Sequence, residues 1–276
     1  MKISVIIPCY NGASTIERAV TSIMAQTLLP FEIIIIDDGS NQETKNVLET
    51  LENDIPILRV ITQANSGVSV ARNVGVRYSH SEYILMLDAD DIFHPTYLEK
   101  AVYVLDVDNS VAMVMCGYNI VNGNTILDTR FPIKASFEDY LFSNHGLGNG
   151  LFRKKAIVQV GGYDELMVEG YEDWELSLRL KKLGWNFHVL TDVLFDYFTT
   201  ENSRNSKALA KDTSIRNYLF KKYKEDYIAN YDQLIPYFQG RLDQIKNTIR
   251  KREQSIDFKI GQAILVPLRW LKKVLK

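Results

Sequence analysis

The chain repeats one local event: a short apolar run stops at Asn or Asp, and a helical pattern begins a few residues later. Ile3–Pro8 runs into Tyr10-Asn11-Gly12, Glu32–Ile36 into Asp37-Asp38-Gly39-Ser40, and Tyr83–Leu87 into Asp88-Ala89-Asp90-Asp91. Runs that are apolar at every position, without alternation, suit strands covered on both faces, which is the condition of a parallel sheet packed by crossover helices. Ile57–Thr62 and Val111–Cys116 read as two further strands, and Val68–Val76 as a helix. The first helix shows Ile16, Ala19, Val20, Ile23 and Met24 at helical spacing after a Ser14/Glu17 capping-box pattern. The second has Val47, Leu48 and Leu51 on one face after Ser40/Glu43. Leu98, Ala101, Val102 and Leu105 mark another amphipathic helix. This rhythm specifies an α/β fold with a Rossmann-like, mainly parallel central sheet flanked by helices.

After about residue 117 the rhythm changes. Asn122-Gly123-Asn124 predicts a hairpin between 118–121 and 125–128, and Ser136–Phe142 a short helix. His145–Gly150 reads as a loop, and Leu151–Lys154 leads into a helix ending at Gly161-Gly162. Tyr171-Glu172-Asp173-Trp174 opens a helix that Gly184 stops, and short strands are expected at 186–190 and 193–198. From about 207 the chain reads helical and increasingly charged. The predicted division is therefore a domain at 1–205 and a helical C-terminal extension at 206–276.

Ligands of open parallel sheets bind beyond the carboxyl ends of the strands, so five aspartates are expected to face one crevice. A carboxylate after the second strand suits a ribose hydroxyl or a base N–H. Asp88-x-Asp90 suits a divalent cation that bridges to a diphosphate. Neither a P-loop nor a G-x-G-x-x-G is present, which argues against kinases, GTPases and dehydrogenases.

SVIIPCYN at 4–11, IIIIDDGS at 33–40, NSGVSVARNVG at 65–75 and LDADD at 87–91 resemble family 2 glycosyltransferases of GT-A fold. LFRKKAIVQVGGYDE at 151–165 and YEDWELSLRL at 171–180 continue the resemblance in order, over roughly residues 2–205. The resemblance implies inverting transfer from a nucleoside diphosphate sugar, a UDP-sugar favoured, to an acceptor hydroxyl in surface polysaccharide or glycolipid synthesis. By it, Asp173 is the catalytic base, with the helix dipole favouring its anion. Pro8, Tyr10 and Asp38 lie near the nucleoside, and Asp88 and Arg72 serve the donor. Asp90 holds the metal, Mn²⁺ or Mg²⁺. Arg72 either touches phosphate or braces the aspartates, and Glu172 reads as a helix-end residue. A Tyr-Arg-x-His-x-x-Ser pattern seen in relatives reads here Tyr197-Phe198-Thr199-Thr200-Glu201-Asn202-Ser203. The His and Arg are thus replaced by Thr200 and Phe198, and Arg204 is a candidate for the lost charge. That departure leaves an alternative, a non-catalytic nucleotide-sugar-binding subunit of a glycan-assembly complex. A sugar-phosphate nucleotidyltransferase fits less well, since its glycine- and lysine-containing N-terminal signature is missing.

The net charge of −2 conceals an asymmetry, because residues 246–276 carry +7 and the rest −9. Ile260, Ile264, Leu268, Leu271 and Leu275 share a helical stripe flanked by lysines, with Trp270 suited to a headgroup boundary and Pro267 as a kink. Segment 258–276 is expected to lie on an anionic membrane surface, or else to pack on the body or a second subunit. No signal peptide or span of about 20 apolar residues is read, so the expected location is cytoplasmic and peripheral on the inner face of the membrane. The expected partners are the nucleotide-sugar donor and a glycan or lipid-linked acceptor. Nucleic acid is not expected, and homo-oligomerisation is left open. Cys9 and Cys116 read as small core residues of a reducing compartment.

Overall fold

A computed structural model describes residues 2–199, 208, 210–261 and 264–265. The chain divides into two compact units, Met1–Lys222 and Tyr223–Lys276.

The first unit is built on a sheet of nine described strands. Its elements are β1 (Ile3–Cys9), α1 (Ile16–Met24), β2 (Glu32–Asp37), α2 (Gln42–Asp54), β3 (Leu58–Thr62), α3 (Val68–Tyr78) and β4 (Tyr83–Met86). There follow β5 (Ile92–Phe93), α4 (Tyr97–Val107), β6 (Val111–Asn122), β7 (Thr125–Arg130), α5 (Phe137–Phe142), β8 (Gly150–Arg153), α6 (Lys154–Gln159), α7 (Glu172–Lys182), β9 (Asn186–Phe198) and α8 (Asp212–Lys222). The strand order is β3-β2-β1-β4-β8-β6-β9-β5, with β7 paired to β6. β1, β2, β3 and β4 are parallel, and every residue of β1 and β2 is buried, as their uninterrupted apolar runs require. α3 lies so close to the sheet that a Cβ on Gly75 would meet Ile6 Cγ2 at 2.4 Å, so glycine is required there.

Four expectations change. The first helix starts after Thr15 with no side-chain cap, and Ser14/Glu17 form no capping box. The second is capped by Asn41, whose Oδ1 accepts from Thr44 N at 3.0 Å; Ser40 instead accepts from Asn11 N at 3.0 Å and ties the loops after β1 and β2 together. Residues 150–153 form β8, inserted antiparallel between β4 and β6. The two short strands expected at 186–198 are one strand, β9, whose register against β6 shifts at irregularities near Met115–Tyr118. The hairpin at Gly123 and the Gly184 helix stop form as the sequence predicts; Gly184 has a φ of 82°. Ser136 and Asp139 form a complete capping box on α5. Both cysteines are free and buried.

The second unit comprises α9 (Lys224–Ala229) and α10 (Tyr231–Gln254), with residues 256–261 helical beyond Ser255. No described helix is long and apolar enough to cross a membrane. The expectations placed on Thr200, Arg204 and Pro267–Lys276 fall outside the described residues.

Candidate active site

The loops at the carboxyl ends of β1, β2 and β4 meet the N-terminus of α7. Pro8 is buried within β1, opposite Ile36 of β2, while Tyr10 just beyond it is 57% exposed. Asn11, at φ 53°, accepts from Asn41 N at 2.8 Å and so fixes the mouth of the second loop. Asp38 is buried and organises its surroundings. Its Oδ1 accepts from Gln63 Nε2 at 2.7 Å and Ser66 N at 2.8 Å, and its Oδ2 from Gly67 N at 2.8 Å. Asp38 therefore holds the Gln63–Gly67 loop against the crevice, with remaining lone pairs for a ligand. Asp37 caps its own turn through Ser40 N at 2.9 Å.

Arg72 joins the two halves of the site. From α3 its buried guanidinium donates to Asp88 Oδ1 at 2.6 Å and to Glu172 Oε1 at 2.7 Å, 5.3 Å from the Tyr163 ring. Burial opposes its charge, but Asp88, Tyr163 and Glu172 outweigh that and keep it protonated. Of the two roles the sequence offers Arg72, these contacts are those of a brace. Glu172, read as a helix-end residue, is the first residue of α7 and is also a buried partner of this ion pair. The adjacent residue of the ARN segment, Asn73, grips Tyr163 through both its amide oxygen and nitrogen and donates to Glu165.

Asn149 is a second brace that the sequence reading assigned to a plain loop. Its Oδ1 accepts from Asp88 N at 2.8 Å, and its Nδ2 lies 3.3 Å from both Asp88 Oδ2 and Asp91 Oδ2. Asp91 is fully buried and also accepts from Phe198 N at 2.9 Å; burial, then Asp90 and Asp88, push its pKa well up. Asp90 stands at the solvent-facing mouth. Protein crowding around it and the charge on Asp88 push its pKa up to about 6, with Arg18 opposing.

Arg18 escaped the sequence reading altogether. Its Nη2 donates to Asp90 O at 2.6 Å, and its guanidinium carbon lies 3.5 Å from the centre of the Phe198 ring. Phe198 stands where the resemblance expects Arg, and here its ring supports an arginine from α1. A missing cation in one segment was the signal to look for another elsewhere.

Asp173 occupies the first turn of α7, and its Oδ2 accepts from Asn144 Nδ2 at 3.0 Å. Gly148 packs on it: a Cβ there would lie 3.2 Å from Asp173 Cβ. Burial and Glu172 push the Asp173 pKa up, against Arg72, the Trp174 N–H and Asn144. Tyr171, the residue before α7, is left-handed at φ 62°, an uncommon state for a bulky side chain, and its hydroxyl donates to Asp212 at 2.9 Å. His94 pairs with Asp196 at 3.1 Å, and His145 packs edge-on against Tyr140; neither joins this cluster.

No group of three or more His, Cys, Asp or Glu side chains placed to hold a metal occurs among the described residues. Asp90 fits the sparser pattern in which one or two carboxylates hold a cation together with substrate phosphates and water.

The sheet order and the acidic crevice at its strand ends define a GT-A fold. Residues 4–161 match the model of Glycosyl transferase family 2, and the chain belongs to that family. It is a glycosyltransferase of mixed α/β architecture with a helical C-terminal region. The uncharacterized glycosyltransferase YwdF of Bacillus subtilis is 31% identical over 66% of this chain and 69% of its own length. The chondroitin synthase of Pasteurella multocida is 26% identical over 97% of this chain, which spans only 29% of that enzyme. Among solved structures, S. aureus TarS 1–349 in complex with UDP-GlcNAc shares the fold with a TM-score of 0.61 and 22% identity, over 75% of this chain and 61% of that one.

Proposed function

We propose that the chain transfers a sugar, with inversion, from a nucleoside diphosphate sugar to an acceptor hydroxyl, a UDP-sugar being the favoured donor. The observation that carries the reading is the Asp88–Arg72–Glu172 bridge. It couples the Asp-x-Asp loop to the helix that bears Asp173, which is the pairing that direct displacement needs: leaving-group stabilisation on one side and a base on the other.

In this reading Tyr10 offers an exposed ring to the base, and Asp38 receives base or ribose hydrogen-bond donors. Arg18 supplies positive charge beside the diphosphate. Asp90, with Asp88 next to it, would hold a divalent cation, which would supply charge neutralisation for the departing diphosphate. Asp173 removes the acceptor proton. Its raised pKa makes it a stronger base than an exposed aspartate, and Asn144 sets its orientation. That S. aureus TarS 1–349 takes UDP-GlcNAc in its complex supports the choice of donor. The chondroitin synthase among the relatives supports a glycan acceptor and polysaccharide synthesis. We assign the transferase domain to 1–205 and the extension to 206–276. Segment 258–276 is proposed to hold the enzyme on an anionic membrane surface at the cytoplasmic face.

A thermal-shift series with UDP, GDP, dTDP and their sugars, with and without Mn²⁺, tests the reading. Stabilisation by UDP or a UDP-sugar that grows with Mn²⁺ is expected. No response to any nucleotide would overturn it.

A further inference from the structure

The first turn of α7 bears Asp173, yet that helix has no cap of its own to fix where the turn begins. Its cap position is Tyr171, which makes no side-chain cap bond and stands at φ 62°. A bulky side chain keeps that backbone state only where its surroundings impose it. The imposing groups come from α8. Asp212 Oδ1 accepts from the Tyr171 hydroxyl at 2.9 Å, and Arg216 Nε donates to the two Asp212 oxygens at 2.9 and 2.8 Å. The same guanidinium donates through Nη1 to Phe142 O at 3.1 Å, and its carbon lies 4.9 Å from the centre of the Trp174 ring. Asp212 and Arg216 are four residues apart and so share one face of α8. One tethers the residue two before Asp173. The other tethers the residue two before Asn144, whose side chain bonds Asp173.

We propose that Asp212 and Arg216 are positioning residues, through which α8 clasps Asp173 and Asn144 against each other. The proposal rests on the reading of Asp173 as the base. Magnitudes separate it from a purely structural role. The Asp212 and Arg216 side chains are 35% and 26% exposed, and a partly exposed pair at this spacing adds little stability. Other contacts keep α8 in place. Ile215 and Leu219 are buried, and Lys222 reaches the fully buried Glu175 at 2.6 Å. Just before the helix, Ala208 packs so closely that a Cβ on Gly170 would meet its Cβ at 2.7 Å. A base displaced by about 1 Å, in contrast, can cost about 100-fold in rate. Loss of the pair should therefore be read in kcat and hardly in the melting midpoint.

The test follows UDP release by the full chain with Mn²⁺, from the UDP-sugar that most raises its thermal midpoint. Asp212→Ala should lower kcat by about 10–100-fold, with KM for that sugar and the melting midpoint little changed. Lys222→Ala should do the opposite, lowering the midpoint by taking a cation from buried Glu175 and leaving kcat alone. Tyr171→Phe deletes one hydroxyl and serves where Asp212→Ala fails to fold. It should also lower kcat, and in the double variant it should add nothing to the Asp212→Ala loss. Wild-type kcat in these variants would overturn the proposal, as would additive losses in the double variant. So would a loss of kcat that tracks the midpoint across all of them. Hydrogen exchange gives a reading independent of turnover: Asp212→Ala should speed exchange at 142–146 and 171–175, and unaltered exchange there would overturn the clasp. Full turnover in Asp173→Asn is a distinct failure, because it overturns the base, and the positioning role with it, while leaving the exchange result intact.

Discussion

At the amino end of the sheet, Glu32 sits beside Ser4 Oγ at 2.6 Å, His80 N at 2.7 Å and Arg59 Nη2 at 3.2 Å. Burial works against its charge, but those partners hold its pKa below the ordinary 4.5. Asp106 near the same end is held low by Lys2 and Tyr83. At the carboxyl end, Asp90, Asp91 and Asp173 are all pushed the other way, by burial first and then by neighbouring carboxylates: Asp88 for Asp90, Asp90 and Asp88 for Asp91, and Glu172 for Asp173. Both ends contain carboxylates and arginines, so residue type does not separate them. What separates them is saturation: the amino end has met its charges within the fold, and the carboxyl end retains an excess that favours an arriving cation or a phosphate escorted by one.

Substitutions can break that contrast. The largest effect is expected from Asp173→Asn, which removes the base but keeps the shape. Transfer should fall by about 10²–10⁴-fold with UDP affinity and thermal midpoint preserved, as read by product release and a melting curve. Unchanged transfer would take Asp173 out of the base role. Arg72→Met should follow, since it strands Glu172 and Asp88; loss of one partner of a buried pair costs about 3–5 kcal/mol, measurable by urea unfolding. A near-neutral result would mean that the two ends are joined by something else.

Glu32→Gln probes the saturated end and should cost about 1.5–3 kcal/mol at pH 7, with transfer unaffected. Because the folded pKa of Glu32 lies below its unfolded value, its contribution is complete above about 4.5 and disappears as pH falls through the lowered value. The gap between wild type and variant should therefore narrow in unfolding curves taken at successively lower pH below about 4.5. Arg18→Ala should have the smallest effect, about a 10-fold loss of UDP-sugar affinity with no loss of stability, as suits a surface guanidinium making charge-assisted bonds. An unaltered affinity would leave Arg18 as a brace for Phe198 alone.

The sequence made the parallel half of the sheet readable because the apolar runs of β1, β2 and β4 are broken only by Ser4 and Glu32 at their amino ends and stop at Asn or Asp. The same pattern exposed Asp38, Asp88 and Asp90. β5 and β8 left no such trace: they are strands because β9 pairs with the first and β4 and β6 with the second. Thr191-Asp192 reads as a break between strands, yet β9 carries it through while its register with β6 adjusts. Caps were misplaced by a single residue, because Ser40 bonds across to Asn11 and leaves the cap to Asn41. Within the site, the missed residues are those whose partners are distant in sequence. Glu172 meets Arg72 across 100 positions, Asn149 meets Asp88 across 61, and Arg18 meets Asp90 across 72. Local pattern carries no information about such pairs.

The claim that the carboxyl-end charge excess is a cation-assisted diphosphate site is tested most directly by calorimetric titration of UDP into the protein with Mn²⁺ or with EDTA, at pH 6 and pH 8. With its pKa pushed up to about 6, Asp90 is a carboxylate for which a cation arriving at pH 6 competes with protons. Binding should therefore require Mn²⁺, and the weakening and proton release at pH 6 relative to pH 8 should be larger in wild type than in Asp90→Asn, where only the UDP phosphate titrates. Equal UDP affinity with Mn²⁺ and with EDTA, unchanged between the two pH values, would contradict the account.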